Sequence, residues 1–88
     1  MGHKIAISSA GNTLAPALAT LCQLGYSVSQ VSGSPQLLQA ESSSARLRAE
    51  DPLLLLGLAC LVQHRGADWQ PTDSEVAQLL ALIESHGT

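Results

Sequence analysis

The feature that most constrains the fold is a leucine-rich segment bounded by residues that start and stop helices. Asp51 and Pro52 form a strong helix start, because Asp accepts hydrogen bonds from the first N–H groups and Pro is tolerated at the first helical position. His64 and Arg65 suit the negative end of the helix dipole, and Gly66 ends the segment. Apolar residues surround almost the whole helix, and such a helix is buried on more than one side. We therefore expect it to form the core. Its apolar run is only about half the length that spans a bilayer.

Alternating apolar and polar residues predict the strands. The alternation occupies residues 4–8 and 26–31. Residues 37–41 and 45–49 predict two further strands, joined at residues 42–44 by a serine turn that makes a hairpin.

Two more helices complete the predicted fold. Thr13 is expected to cap a helix that has Pro16 in its first turn and ends at Gly25. Thr72 and Glu75 form a capping box at the start of the last helix. One stripe of that helix is apolar: Val76, Leu79, Leu80 and Ile83. The predicted fold is α+β in the order β-α-β-β-β-α-α, a small sheet of three to four strands packed by three helices.

The chain of 88 residues has the length of one domain. We expect residues 1–3 to be disordered or foreign to the native start, and residues 86–88 to fray. The segment after Lys4 is too short and too rich in serine for a secretory signal, which predicts a cytoplasmic protein.

Charge excludes some classes of partner. The net charge is −3, and the only Lys and Arg residues are Lys4, Arg46, Arg48 and Arg65. Nucleic-acid binding needs a basic face to neutralise phosphates, so neither RNA nor DNA is expected as a partner. No membrane is expected as a partner either, because the longest apolar run is too short to span one. Charged residues make up 12% of the chain, about half the usual share near 25%. Either polar uncharged residues cover the surface, or part of it is apolar and meets a partner.

Cys22 and Cys60 are the only cysteines. Both fall on apolar faces of predicted helices, which favours free, buried thiols over a disulfide or a reactive thiol. No spacing typical of metal ligands is present, so no metal or cofactor is expected.

One loop joins the first predicted strand to the first helix: Ser8, Ser9, Ala10, Gly11, Asn12 and Thr13. N–H groups at a helix N-terminus can bind an anion such as a nucleotide phosphate. The loop has neither a P-loop lysine nor the three glycines of a dinucleotide loop, so an ordinary strand-to-helix turn is the competing interpretation.

A second group of candidate residues concerns a protein partner. Glu41, Arg46 and Arg48 lie on both sides of the predicted hairpin, where they form either cross-strand ion pairs or a polar recognition patch. Asp68 and Trp69 lie in the connector before the last helix. Trp is enriched at binding hot spots, although a sole Trp also commonly covers a core between two helices.

No motif for catalysis is present. His64 has no nearby nucleophile or orienting acid in the sequence, and a chain of this size with a leucine core has little room for a substrate cleft. We expect no enzyme and assign no catalytic residue.

Two stretches carry a resemblance to a known class of protein. They are KIAISSAGNT near the start and AEDPLLLLGLACLVQHRGADWQPTDSEV through the last two helices, of which Arg65-Gly66-Ala67-Asp68-Trp69 is the most specific part. They resemble small bacterial single-domain proteins of toxin–immunity type, over about half the chain. The resemblance implies a non-enzymatic protein that binds and neutralises a toxin domain, and it transfers no functional residue.

The sequence thus predicts a protein-interaction module whose partner is another protein, such as a toxin domain, or a second copy of the chain in a homodimer. The alternative is a domain that binds a small ligand, nucleotide or anion through residues 8–13.

Overall fold

A computed structural model describes residues 4–86. Its helices are α1 (Leu14–Gln23), α2 (Pro52–Arg65) and α3 (Asp73–His86), and its strands are β1 (Ser27–Val31), β2 (Ser34–Glu41) and β3 (Arg46–Ala49). Short 3₁₀ turns precede α1 at Gly11–Thr13 and follow α2 at Gly66–Asp68. The α+β class, the three helices and the sheet of three strands are confirmed. The expectations for residues 1–3 and 87–88 lie outside the described residues, while α3 still includes His86, where fraying was predicted.

The predicted strand at residues 4–8 is wrong. These residues have no regular secondary structure, and Ile5 and Ile7 are 85% and 78% exposed. Alternation indicates which side chains share a face, but a strand also needs a neighbour for its backbone hydrogen bonds. Among the described residues, this segment has no strand beside it, and the first regular element is the 3₁₀ turn at Gly11–Thr13.

The sheet is antiparallel in the order β1-β2-β3. The predicted hairpin is confirmed: Ser42 N–H donates to Ala45 O over 2.9 Å, and Ser42 Oγ accepts from Ser44 N and Ala45 N over 3.2 Å. Ser side chains favour such turns because the hydroxyl can bond to nearby backbone. Because β3 pairs only with β2, it lies at an edge of the sheet.

The turn between β1 and β2 is shorter than predicted. It consists of Ser32 and Gly33, with Gly33 at φ 82°, and β2 already begins at Ser34. Pro35 is tolerated in β2 because β3 pairs only with residues 38–41, which leaves one side of the strand open at Pro35.

The two ends of α1 differ in how their backbone groups are capped. At its C-terminus, Gly25 adopts φ 98°, and Tyr26 N–H donates to Leu21 O while Gly25 N–H donates to Cys22 O. This is a Schellman motif, as the glycine predicted. At the N-terminus, Thr13 precedes the helix but does not cap it. Its hydroxyl donates to Ala10 O over 2.6 Å.

The core lies where α1 and α2 meet the sheet. Its buried cluster consists of Leu21, Ala40, Leu47, Leu55 and Ala59. Leu21 and Leu55 are fully buried. The prediction that the leucine-rich helix forms the core is therefore confirmed, and α2 contacts α1, β2 and β3. The Asp51 cap is also confirmed, since Leu54 N–H donates to Asp51 Oδ1 over 2.8 Å.

No helix within residues 4–86 combines the length and hydropathy needed to cross a bilayer.

Helix α3 stands apart from this core and makes no extended contact with another described element. The Cα radius of gyration is 15.5 Å, whereas a compact chain of this length has a value of about 12 Å. The apolar residues of α3 are consequently left largely exposed.

Two adjacent leucines of α2 test this arrangement. We expect Leu55→Ala to lower the free energy of unfolding by about 2–5 kcal/mol, because it opens a cavity in the core. Leu54 is 52% exposed, so Leu54→Ala serves as the matched control and should cost less than ~1 kcal/mol. Urea unfolding followed by circular dichroism measures both. Equal losses for the two variants would contradict the orientation of α2.

Candidate protein-interaction surface

An apolar groove lies between α2 and the edge strand β3. We call it the basic groove, and its lining consists of Leu47, Leu58, Leu61, Val62 and Trp69 with Arg46 and Arg48. Its volume is about 230 Å³, below the ~300–1,000 Å³ of clefts that bind small molecules. The groove has room for side chains of another protein segment and little room for a ligand.

Trp69 occupies the groove beside α2 and β3 rather than a position between two helices. It follows the 3₁₀ turn at Gly66–Asp68 and is 50% exposed. The alternative interpretation, in which the sole Trp covers a core between two helices, does not describe Trp69, because the helix that follows it, α3, does not pack back on α2. A half-exposed Trp in an apolar groove has the properties of a binding hot spot.

The two arginines of β3 have different partners. Arg46 Nη2 lies 3.2 Å from Glu41 Oε2, in the cross-strand ion pair that the sequence predicts. Both side chains are about half exposed, so the pair is worth under ~1 kcal/mol. Arg48 Nε donates to Gln39 Oε1 over 2.9 Å and, within residues 4–86, makes no ion pair. It remains available to a carboxylate of a partner. Charged side chains on a short edge strand also hinder unwanted strand pairing.

The predicted partner-binding residues are thus only partly brought together. Arg46, Arg48 and Trp69 line the basic groove, whereas Glu41 and Asp68 are not part of the lining. Glu41 is linked to the lining by its ion pair with Arg46 and by Gln39, which bonds to both Glu41 and Arg48. Sequence reasoning did not name Leu58, Leu61 and Val62 as site residues, although it predicts that a side of the leucine-rich helix left uncovered meets a partner. The available signal was the excess of leucine on α2, which has more apolar faces than its neighbours cover.

A second apolar surface lies on α3. We call it the α3 stripe, and it consists of Val76, Leu79, Leu80 and Ile83, which are 41%, 55%, 52% and 56% exposed. These residues follow the predicted helical spacing, but they contribute nothing to the buried core. Exposed apolar residues on one continuous face are uncommon on a monomer unless they meet a partner.

The start of α3 is fixed to the end of α2. The predicted capping box is confirmed: Glu75 N–H donates to Thr72 Oγ1 over 3.2 Å, and Thr72 N–H donates to Glu75 Oε1 over 2.9 Å. Arg65 Nη2 also donates to Glu75 Oε1 over 2.9 Å and to Gln70 O over 3.3 Å. This tether holds the base of α3 beside the C-terminus of α2.

The tether shifts the ionisation of both partners. The hydrogen bond from Arg65, followed by that from the Thr72 backbone, holds the pKa of the Glu75 carboxyl below its ordinary value. The same hydrogen bond from Glu75 raises the pKa of Arg65. These groups serve to orient a helix, and neither lines the basic groove.

The loop of residues 8–13 is exposed, apart from a half-buried Thr13. Thr13 Oγ1 is engaged locally with Ala10. One adjacent depression is lined by Ser9, Ala10 and Gly11 together with Leu14, Asp51 and Leu53, and the Asp51 carboxylate disfavours a bound anion there. A second depression is lined by Ser9 and Thr13 and otherwise mainly by apolar residues of α1 and α2. Ligand binding by Ser8, Ser9, Gly11, Asn12 and Thr13 stays a prediction.

Cys22 and Cys60 are free, as predicted, but both are exposed. The prediction that they are buried is wrong, because each falls on the outer side of its helix. Residues 4–86 contain no group of three or more His, Cys, Asp or Glu side chains placed to hold a metal ion.

Comparisons of the chain with protein-family models, with curated proteins and with solved structures found no match.

The Arg65–Glu75 tether predicts a pH response. Because the pKa of Glu75 is lowered in the folded state, its stabilising contribution is present above the ordinary glutamate pKa and is lost as pH falls through the folded-state pKa. In an NMR titration, the Thr72 amide proton should therefore shift with an apparent pKa below the ordinary glutamate value. Glu75→Gln keeps the capping box but has no charge to titrate. The same shift in this variant would contradict the assignment.

Proposed function

We propose that this chain is a non-enzymatic protein-interaction module that binds its partner through the α3 stripe and the adjacent basic groove. The observation that carries the proposal is the exposure of the α3 stripe on a helix that packs along no other described element. Burial of these side chains by a partner would remove apolar surface from water, which is the main favourable contribution to protein association.

The spacing of the α3 stripe supports this mode of binding. Val76, Leu79, Leu80 and Ile83 occupy positions i, i+3, i+4 and i+7, which is the anchor pattern of a helix that lies in the groove of another protein. The tether of Arg65 to Glu75 presents this helix in a fixed direction at its base. Less conformational freedom is then lost on binding.

We further propose that the partner class is a bacterial toxin domain and that the protein acts in the cytoplasm as an immunity protein. The support is the resemblance of residues 4–13 and 49–76 to proteins of toxin–immunity type, together with the acidic balance of the chain. Helix α3 carries Asp73, Glu75 and Glu84 but no Lys or Arg, so a groove with a basic border suits it.

Affinity purification from the host cell tests the interaction. Tagged wild-type protein should retain a stoichiometric partner, and Leu79→Glu should lose it because the substitution places a charge in the apolar contact. Gln78→Glu adds the same charge on the opposite face of α3 and should retain the partner. Equal recovery with both variants would exclude the α3 stripe as the binding surface.

Co-expression tests the toxin assignment. Wild-type protein and Gln78→Glu should restore the growth of cells that express a toxin domain encoded beside this gene, and Leu79→Glu should not. Expression of all three proteins is compared by immunoblot. If no version restores growth while the partner is still captured, the interaction stands and the immunity role is wrong.

A further inference from the structure

We propose that α3 of one chain binds in the basic groove of a second copy, and that the second copy returns the same contact. This inference rests on the proposed function and concerns the same surface, so a toxin domain would bind there by displacing the second copy. The chain presents both halves of a complementary pair: an apolar helix that carries acidic residues and an apolar groove that carries arginines. Within the described residues of one chain, α3 does not cover the basic groove, and the apolar stripe of α3 stays exposed.

Charge favours this pairing over contact between two α3 helices. Helix α3 contains three acidic residues and no Lys or Arg, so two such helices side by side bring like charges together. The basic groove offers the opposite sign, and Arg48 makes no ion pair within residues 4–86. Glu75 is engaged by Arg65, which leaves Asp73 and Glu84 outside any ion pair within the described residues.

The surface beside the groove has the length to receive a helix. Leu54, Leu58 and Leu61 follow the i, i+4, i+7 spacing along α2, and Leu54 and Leu61 are 52% and 39% exposed. This face of α2 continues the apolar wall of the basic groove. Two helices pack when the apolar rows of one fit between those of the other, and α2 and α3 each present one such row.

Several large apolar side chains of each chain are available to a reciprocal contact. The α3 stripe, Trp69, Leu54 and Leu61 are each between 39% and 56% exposed, and large apolar side chains supply much of the roughly 800 Å² per partner that a standard interface covers. Because the exchange is reciprocal, both the helix and the groove of each chain are covered at once. Such a twofold contact closes on itself and does not propagate into fibres.

The position of α3 within one chain explains why the contact is made with a second copy. Arg65 holds Glu75 and the carbonyl of Gln70, so the base of α3 stays at the end of α2 while its stripe remains exposed. Trp69 lies in the groove directly before this base. Helix α3 thus begins next to the basic groove of its own chain. The α3 helix of the second copy would occupy that groove.

Sedimentation equilibrium at about 5–300 μM tests the assembly on the intact chain. Wild-type protein and Gln78→Glu should reach twice the mass of the 9.1 kDa chain, and Leu79→Glu should raise the dissociation constant by roughly 100-fold or more. Arg48→Glu should weaken the dimer roughly tenfold. Circular dichroism shows whether each variant remains folded, and α3 lies outside the core, so folding should be retained. A wild-type protein that stays monomeric throughout overturns the proposal.

Isotope-filtered NMR identifies the contact. In a sample that mixes labelled and unlabelled wild-type chains, we expect intermolecular nuclear Overhauser effects between the Trp69 indole of one chain and the Leu79 and Ile83 methyls of the other. A dimer that shows only contacts between two α3 helices overturns the proposal, as do contacts between α3 and Trp69 found only within one chain.

The two proposals fail in different ways. If the wild-type protein is monomeric but Leu79→Glu still loses a captured partner that Gln78→Glu retains, the interaction module stands and the second copy is not its partner. If the protein forms the exchanged dimer and captures nothing else, self-association is the interaction and the toxin assignment falls.

Discussion

The contact of one side of α2 with α1 and the sheet is the interaction on which the rest of the structure depends. Leu55 and Ala59 meet Leu21, Ala40 and Leu47 in a single buried cluster. Two of these five residues are alanines, so the core is thin and the fully buried Leu21 and Leu55 carry much of its apolar burial. The Asp51 cap fixes where α2 begins, and the cluster fixes which of its faces turns inward.

The same contact creates the candidate interaction surface. α2 is apolar on almost every side, but α1 and the sheet can cover only part of it, and α3 does not complete the covering. The remaining leucines and Trp69 therefore line a groove at the edge strand β3. Within residues 4–86, both the outer side of α2 and the stripe on α3 keep large apolar side chains exposed. Burial of these side chains would remove apolar surface from water.

Local signals in the sequence were reliable at most places where a short-range interaction decides the outcome, although Thr13 donates its hydroxyl to Ala10 O and does not cap α1. The capping box of Thr72 and Glu75, the Schellman glycine Gly25 and the serine hairpin all depend on residues a few positions apart. The cross-strand pair of Glu41 and Arg46 followed from the hairpin register. The strand at residues 4–8 failed for the opposite reason. Its pattern is local, but the hydrogen bonds that would make it a strand come from a distant part of the chain.

The sequence by itself determined the α+β class, the ends of the helices and the spacing of the apolar stripe on α3. Only the tertiary structure decided that this stripe is exposed, that Cys22 and Cys60 point outward, and that Trp69 lies in a groove with Arg46 and Arg48. The reason is that periodicity reports which residues share a face of an element but contains no information about what covers that face. In this chain α2 finds its cover in α1 and the sheet, whereas α3, tethered at its base by Arg65, finds none within residues 4–86.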